Sequence, residues 1–308
     1  MTTDTPPQEL KVRRTTTGGK SDPQTAWIML APITALLVLL IAYPFGLSFY
    51  LSVTDRQIGM PGKFIGLANF LDNWGDDIFR QTLFNSILYT VVTVIMKAAL
   101  GLPLALALYH VRRARAPLRA VALLPWVVPT SLSALAWWWI FSPEFGPLNW
   151  LLTSSGLLSA GIPWLGEPIW ARIAVMLINI WRGIPFFAIS FLAGLVAIPK
   201  DVYEAASIDG AGNWRSFWNI TLPLLRPVLL IVLMYSTVMT ISDFEIIFIV
   251  TRGGPMNSTH LFGTLAFQVG LAGSQIGRAA AISLFIFPVL AVSAGFMLRN
   301  ILRREDVL

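Results

Sequence analysis

Four ionisable residues, Lys97, Arg182, Asp243 and Glu245, lie within long apolar stretches of the sequence. A charge at membrane depth costs roughly 2.5–3.5 kcal/mol to insert, so each one points either to a polar passage or to a paired structural role. Asp243 and Glu245 are two positions apart. On a continuous helix they point about 200° apart and cannot line one surface. Either one lines a cavity, or it pairs with Arg182 or Arg252. Asn179, Trp181 and Arg182 form a second cluster, in which planar polar groups beside an aromatic face suit a hydroxyl-rich ligand. The structural alternative is helix–helix hydrogen bonding by Asn179 with Trp181 at the membrane interface. Lys97 has an alternative too, since its stem can snorkel toward water.

Other chemistries are excluded by residue type. Cysteine is absent, which removes disulfides, thiolate metal sites and thiol nucleophiles. His110 and His260 stand far apart with no metal-ligand spacing, and no catalytic set is visible. The outer loop 142–168 offers only Glu144 and Glu167, too distant in sequence to form the carboxylate cluster of a membrane enzyme. Gly19-Lys20-Ser21 resembles the end of a phosphate-binding loop, but Arg14 stands where its first glycine is required, and no strand precedes it. No cofactor, ATP included, is expected on this chain.

The elements that position these residues follow from composition. Of 308 residues 56% are hydrophobic and only 12% charged, with a mean hydropathy of +0.69. A soluble domain carries about twice that charged fraction, so lipid must be part of the solvent. Apolar runs at about Trp27–Val53, Thr82–Tyr109, Leu118–Phe141, Ile169–Ile198, Pro227–Val250 and Ile276–Leu298 each approach or exceed the roughly 20 helical residues that cross a bilayer. The reading is an all-α membrane protein of about six transmembrane helices. Residues 1–25 read as a disordered cytoplasmic tail, 26–302 as the six-span domain and 303–308 as a second tail. Basic residues cluster in the tail, at Arg112–Arg119, at Lys200–Arg226 and after Arg299, whereas the outer loops carry few. By the positive-inside rule both termini and residues 199–226 face the cytoplasm. The net charge of +6 therefore anchors the chain to lipid, with no nucleic-acid partner. Trp137–Trp139, Trp150, Trp164 and Trp170 read as an interfacial aromatic belt, or as rings on which carbohydrate stacks.

The cytoplasmic segment reads as two short helices. Pro199 ends the incoming span, Asp201 with Glu204 makes a capping-box pattern, and Gly210 offers a left-handed stop. Asn213 caps the second helix, which ends before Pro223. Helix propensity does not ask for small residues at both Ala205 and Ala206 on a solvated loop. Two adjacent alanines admit a partner's backbone, and Glu204 could reach a donor on it.

Glu204-Ala205-Ala206, then Gly210, Ile220, Leu222 and Pro223, resembles the EAA loop of permease subunits of binding-protein-dependent ABC importers. The resemblance extends over nearly all the chain beyond the tail. It includes Gly101-Leu102-Pro103, Leu124-Pro125 with Pro129, Trp181-Arg182-Gly183-Ile184-Pro185-Phe186, and Thr251-Arg252-Gly253-Gly254-Pro255. The last of these is similar to the first of the two permeases in maltose-type carbohydrate systems. Where that family usually has an aspartate after phenylalanine, this chain has Phe244-Glu245. The resemblance implies that Glu204, Ala205, Ala206, Asp209, Gly210 and Ala211 form a coupling helix docking into a cytoplasmic ATPase, which carries the ATP and magnesium. It further implies a second homologous permease, two ATPase copies, an extracytoplasmic solute-binding protein and a place in the bacterial inner membrane. Asn179, Trp181, Arg182, Asp243 and Glu245 are the expected solute-pathway residues. An ion-coupled secondary transporter would not account for the Ala205-Ala206 docking pattern.

Overall fold

Backbone in hydrocarbon must satisfy its own polar groups, and the apolar runs of this chain accordingly fold into helices. The structure, a computed structural model, describes residues 23–111 and 115–305. Gly19-Lys20-Ser21, Arg112 and Arg113 lie outside the described residues. Packing divides the chain after Leu47 into two units.

The first unit holds α1 (Pro23–Leu37), a π-turn at Val38–Ala42 and the opening of α2 (Tyr43–Ser52). From Trp27 to Leu47 every side chain is exposed, as expected of residues turned toward lipid. Helix α1 starts inside the stretch read as tail.

In the second unit, a loop with backbone pairs Thr54–Phe64 and Gln57–Met60 leads to α3 (Ala68–Gly75) and the long α4 (Asp77–His110). Asp76 caps α4, its carboxylate accepting from the Ile78 N–H at 2.8 Å. Next come α5 (Arg115–Val127) and α6 (Thr130–Ile140), read from the sequence as one span. They meet at an 86° bend. Pro129 explains it, since it lacks an N–H for the helical ladder and disfavours helical geometry at Val128. After α7 (Pro147–Ser154), α8 (Pro168–Ala197) crosses as one helix, with Pro185 inside it.

The chain then forms α9 (Lys200–Ile208), α10 (Asn213–Ser216), a π segment at Phe217–Thr221, α11 (Leu222–Ile241) and α12 (Glu245–Val250). The predicted stop before Pro223 is absent: α10 runs through the π segment into α11 without interruption. The wider π-turn falls where Pro223 withholds its donor, the Leu222 N–H closing it on the Phe217 carbonyl, and Pro227 lies further along inside α11. The fifth span instead breaks at Ser242–Phe244. The unit ends with α13 (Phe262–Phe267), a π segment at Gln268–Ala272, α14 (Ile276–Leu284) and α15 (Phe287–Glu305). Among the described residues five helices are long and apolar enough to cross a membrane, or six if the bent pair is one span.

The most extensive helix contact joins α4 to α8, and α11 packs on both. Phe187, Phe191, Leu195, Leu225 and Val232 build one apolar cluster with Val94, Ala105 and Leu108. A second gathers Tyr89, Phe141, Trp164, Ile178, Ile180, Ile246 and Ile247. Trp164 is thus a core residue rather than a belt residue: it is 6% exposed, and its indole N–H donates to Asn149 Oδ1 at 3.0 Å. Close approach of α4 and α8 depends on small residues, as in membrane bundles generally. A Cβ added at Gly101 on α4 would fall on Phe187 of α8, and one at Gly194 on α8 would fall on Leu225 of α11. Gly101→Val is expected to destabilise the protein by about 1–3 kcal/mol through overpacking. A thermal-unfolding series in detergent checks this. Gly46→Val, where an added Cβ meets nothing within 4 Å, should be nearly silent.

Candidate functional site

Asn85, Tyr89, Thr93 and Lys97 recur every four residues along α4, which places them on one helix face. All four are buried, Lys97 at 4% exposure, so this face turns a polar stripe into the bundle. Sequence reasoning isolated Lys97 and missed the stripe, although its spacing of four was available to be read. Lys97 does not snorkel.

The Lys97 ammonium donates to Asn179 Oδ1 on α8 and to Thr240 Oγ1 on α11, both at 2.8 Å. The Asn179 amide in turn donates to Asp243 Oδ2 at 2.9 Å, and the Tyr89 hydroxyl donates to the same oxygen at 2.7 Å. Five side chains from three helical segments thus form one connected polar junction between the two apolar clusters. The helix break sets its geometry. Ser242–Phe244 leave the α-helical path, so Asp243 points at Asn179 while Glu245 starts α12 exposed. The expectation of a 200° separation assumed a continuous helix, and the break removes that premise. Asp243 takes its hydrogen bonds from Tyr89 and Asn179; among the described residues the ion pairs are Arg80–Asp77 and Arg278–Asp76, and neither Arg182 nor Arg252 pairs with it.

The remaining expected residues diverge. Trp181 is partly exposed and faces an apolar recess of about 440 Å³ shared with Leu104, Leu108, Val121 and Pro125. Its ring meets Trp137 edge-on at 5.6 Å. The Arg182 Nε is buried without a hydrogen-bond partner.

Toward the other end of the stripe, Arg172 on α8 donates to Asn85 Oδ1 at 3.1 Å and to the Ser258 carbonyl at 2.9 Å. The Asn85 amide donates to the Asn257 carbonyl at 3.3 Å. The loop after α12 is thereby tied to α4 and α8. It turns through Arg252, Gly253, Met256 and Asn257, all with positive φ. Gly253 at φ 88° lies against the His260 ring, leaving no room for a side chain. Burial lowers the His260 pKa below its ordinary value, opposed by a hydrogen bond with Gln268.

The loop matching the docking motif has its own geometry. Pro199 precedes α9, and no side chain caps the helix, so the expected capping box from Asp201 and Glu204 does not form. Gly212, not Asn213, is the N-cap of α10. Gly210 adopts φ 77°, the expected left-handed stop, and the Ala211 N–H returns to the Ala206 carbonyl at 2.9 Å. Glu204, Ala205, Asp209 and Gly210 are exposed, with Ala206 and Ala211 half-buried. A cleft of about 760 Å³ opens beside α9, lined by Tyr203, Glu204, Trp214 and Phe217 together with Tyr109 and His110 at the end of α4.

The chain thus has several helices long and apolar enough to cross a membrane, a polar junction among them and an exposed helix between the fourth and fifth apolar runs. The family model of the binding-protein-dependent transport system inner membrane component matches residues 97–305. The chain is 36% identical over 288 residues to the sulfoquinovosyl glycerol transport system permease protein SmoG of Agrobacterium fabrum, covering 92% of each. It is 35% identical to the trehalose/maltose transport system permease protein MalF of Thermococcus litoralis, covering 92% of this chain and 96% of that one. The fold matches the crystal structure of a bacterial ABC transporter involved in the import of the acidic polysaccharide alginate, with a TM-score of 0.76 at 22% identity, covering 92% of this chain and 96% of that one. The chain belongs to the family of binding-protein-dependent transport system inner membrane components, as a multi-pass ABC transporter permease subunit and not an enzyme.

Proposed function

We propose that this chain forms half of the translocation pathway of an ATP-driven importer for a carbohydrate or related hydroxyl-rich solute. It pairs with a second, homologous permease and receives solute from an extracytoplasmic binding protein. Two copies of a cytoplasmic ATPase, which hold the ATP and magnesium, drive it through α9. Both termini face the cytoplasm. The observation that carries the reading is the exposed helix Lys200–Ile208 with its Gly210 turn, offering Glu204, Ala205 and Ala206 at one end of the bundle. The names of the relatives, which include trehalose/maltose and sulfoquinovosyl glycerol systems, support a carbohydrate. The polar junction of Tyr89, Asn179, Thr240 and Asp243 supports a solute pathway, because such groups at membrane depth are otherwise costly. Trp181, Arg182 and Glu245 belong to the proposed pathway as further residues of the same two helical segments.

Isolation from native membranes by a tag on this chain is expected to bring down an ATPase, and a cysteine at Ser207 to react with an impermeant maleimide only from the inner side. In proteoliposomes, trehalose or maltose uptake is expected to require ATP and the binding protein. Uptake by this chain alone on an ion gradient, or labelling of residue 207 from outside, overturns the reading.

A further inference from the structure

The Lys97 ammonium lies in the middle of the polar junction on two neutral acceptors, Asn179 Oδ1 and Thr240 Oγ1. The Asn179 amide links it to the nearby Asp243 carboxylate, with which it makes no contact ion pair. Its stem passes Gly183 so closely that an added Cβ there would collide with the Lys97 Cδ. The glycine therefore makes the groove that seats the lysine. While seated, Lys97 takes one acceptor position on the Asn179 amide oxygen, and Asp243 takes one of the amide's two N–H donors. Both acceptors under the ammonium suit a hydroxyl donor equally well, whereas an anionic group would meet two acceptors and a carboxylate.

Resting on the reading of the junction as solute pathway, we propose that Lys97 is a displaceable pin. Its ammonium fills the positions that hydroxyl groups of an entering neutral solute take up. Displacement releases α4 from α8 and α11, so solute occupancy and helix separation become one event. Hydrogen bonds to neutral acceptors suit this task, because a contact ion pair at this depth would hold the lysine against a hydroxyl. Lys97 is thus a positioning residue that acts through Asn179.

The test uses the whole importer, isolated through its ATPase and placed in nanodiscs with no solute and no binding protein. Lys97→Met keeps the stem and removes the donors; solute-free ATP hydrolysis is expected to rise at least about threefold, the effect of one interhelical hydrogen bond in a membrane. Gly183→Ala, which unseats the stem with its charge intact, should produce the same rise. Adding Asn179→Ala to Lys97→Met should change the rate by less than the product of the single effects, because the two share one contact. Wild-type solute-free rates in both Lys97→Met and Gly183→Ala, or fully multiplicative effects, overturn the pin. If trehalose and maltose uptake nonetheless falls in Asn179→Ala, the pathway stands without the pin; uptake unchanged in Asn179→Ala overturns both.

Discussion

Glu204→Lys and Gly210→Pro each leave the protein inserted and folded but reduce ATP-driven uptake by about tenfold or more, the scale of a like-charge or misplaced contact at an interface. The two substitutions act differently. Glu204 is exposed, and its bond within α9 runs from the Ser207 hydroxyl to the Glu204 backbone carbonyl at 2.7 Å, so reversing its side-chain charge should alter stability by no more than about 0.5 kcal/mol. What changes is the surface offered to the ATPase. Gly210 stands at φ 77°, and its N–H returns to the Ser207 carbonyl at 3.1 Å. Proline is locked near φ −65° and has no N–H, so both the turn and this bond are lost. Helix α9 then leaves the bundle in a different direction. The measurement is ATP hydrolysis of the assembled complex with loaded binding protein, alongside uptake. Wild-type stimulated hydrolysis and wild-type uptake in both variants would remove α9 from the coupling path.

The second large effect concerns Asp243. Asp243→Leu leaves the Tyr89 hydroxyl and the Asn179 N–H without an acceptor and Lys97 without a nearby counter-charge. Stranding buried donors costs about 1–3 kcal/mol each, and more when a charge loses its partner. Membrane bundles soften such losses by finding substitutes, so a loss of about 2–4 kcal/mol is expected, read as a lower thermal midpoint in detergent. Asp243→Asn retains a carbonyl oxygen for one of the two donors and should lose roughly half as much. A leucine variant as stable as wild type would show that the junction holds nothing together.

Much of this architecture could be read from residue order, and the failures share a cause. The positions of the spans, the exposed segment after Pro199 and the left-handed Gly210 all follow from local rules: apolar length, proline chemistry, the freedom of glycine. Where neighbouring helices decide, local rules fail. Pro223 looks like a helix stop, yet a π-turn accommodates it, and the helix continues because α4 and α8 pack against it. Pro129 sits in an apolar run long enough for one span, and the chain bends there by 86°. At the site, Asn179 and Asp243 were named from type alone. Tyr89 and Thr240 were not, because a tyrosine or threonine in an apolar run is ordinary until its partner across the bundle is known. For the same reason the sequence alone does not decide whether Lys97 snorkels or turns inward. Asp243 and Glu245 were assigned opposite faces of a helix that the structure interrupts between Thr240 and Glu245.

The passage of α10 into α11 without a joint has a mechanical consequence. From Asn213 to Ile241 the backbone is helical without a break, though Pro223 and Pro227 each withhold one bond from its ladder, and it is about 40 Å long at 1.5 Å per residue. Trp214, Phe217 and Trp218 interlock as rings at one end, while Thr240 stands at the other. A turn applied at the indoles is therefore carried toward the threonine along one helix, softened where the π-turn and the two prolines thin its ladder, and the helix ends at Ser242–Phe244, one step beyond it.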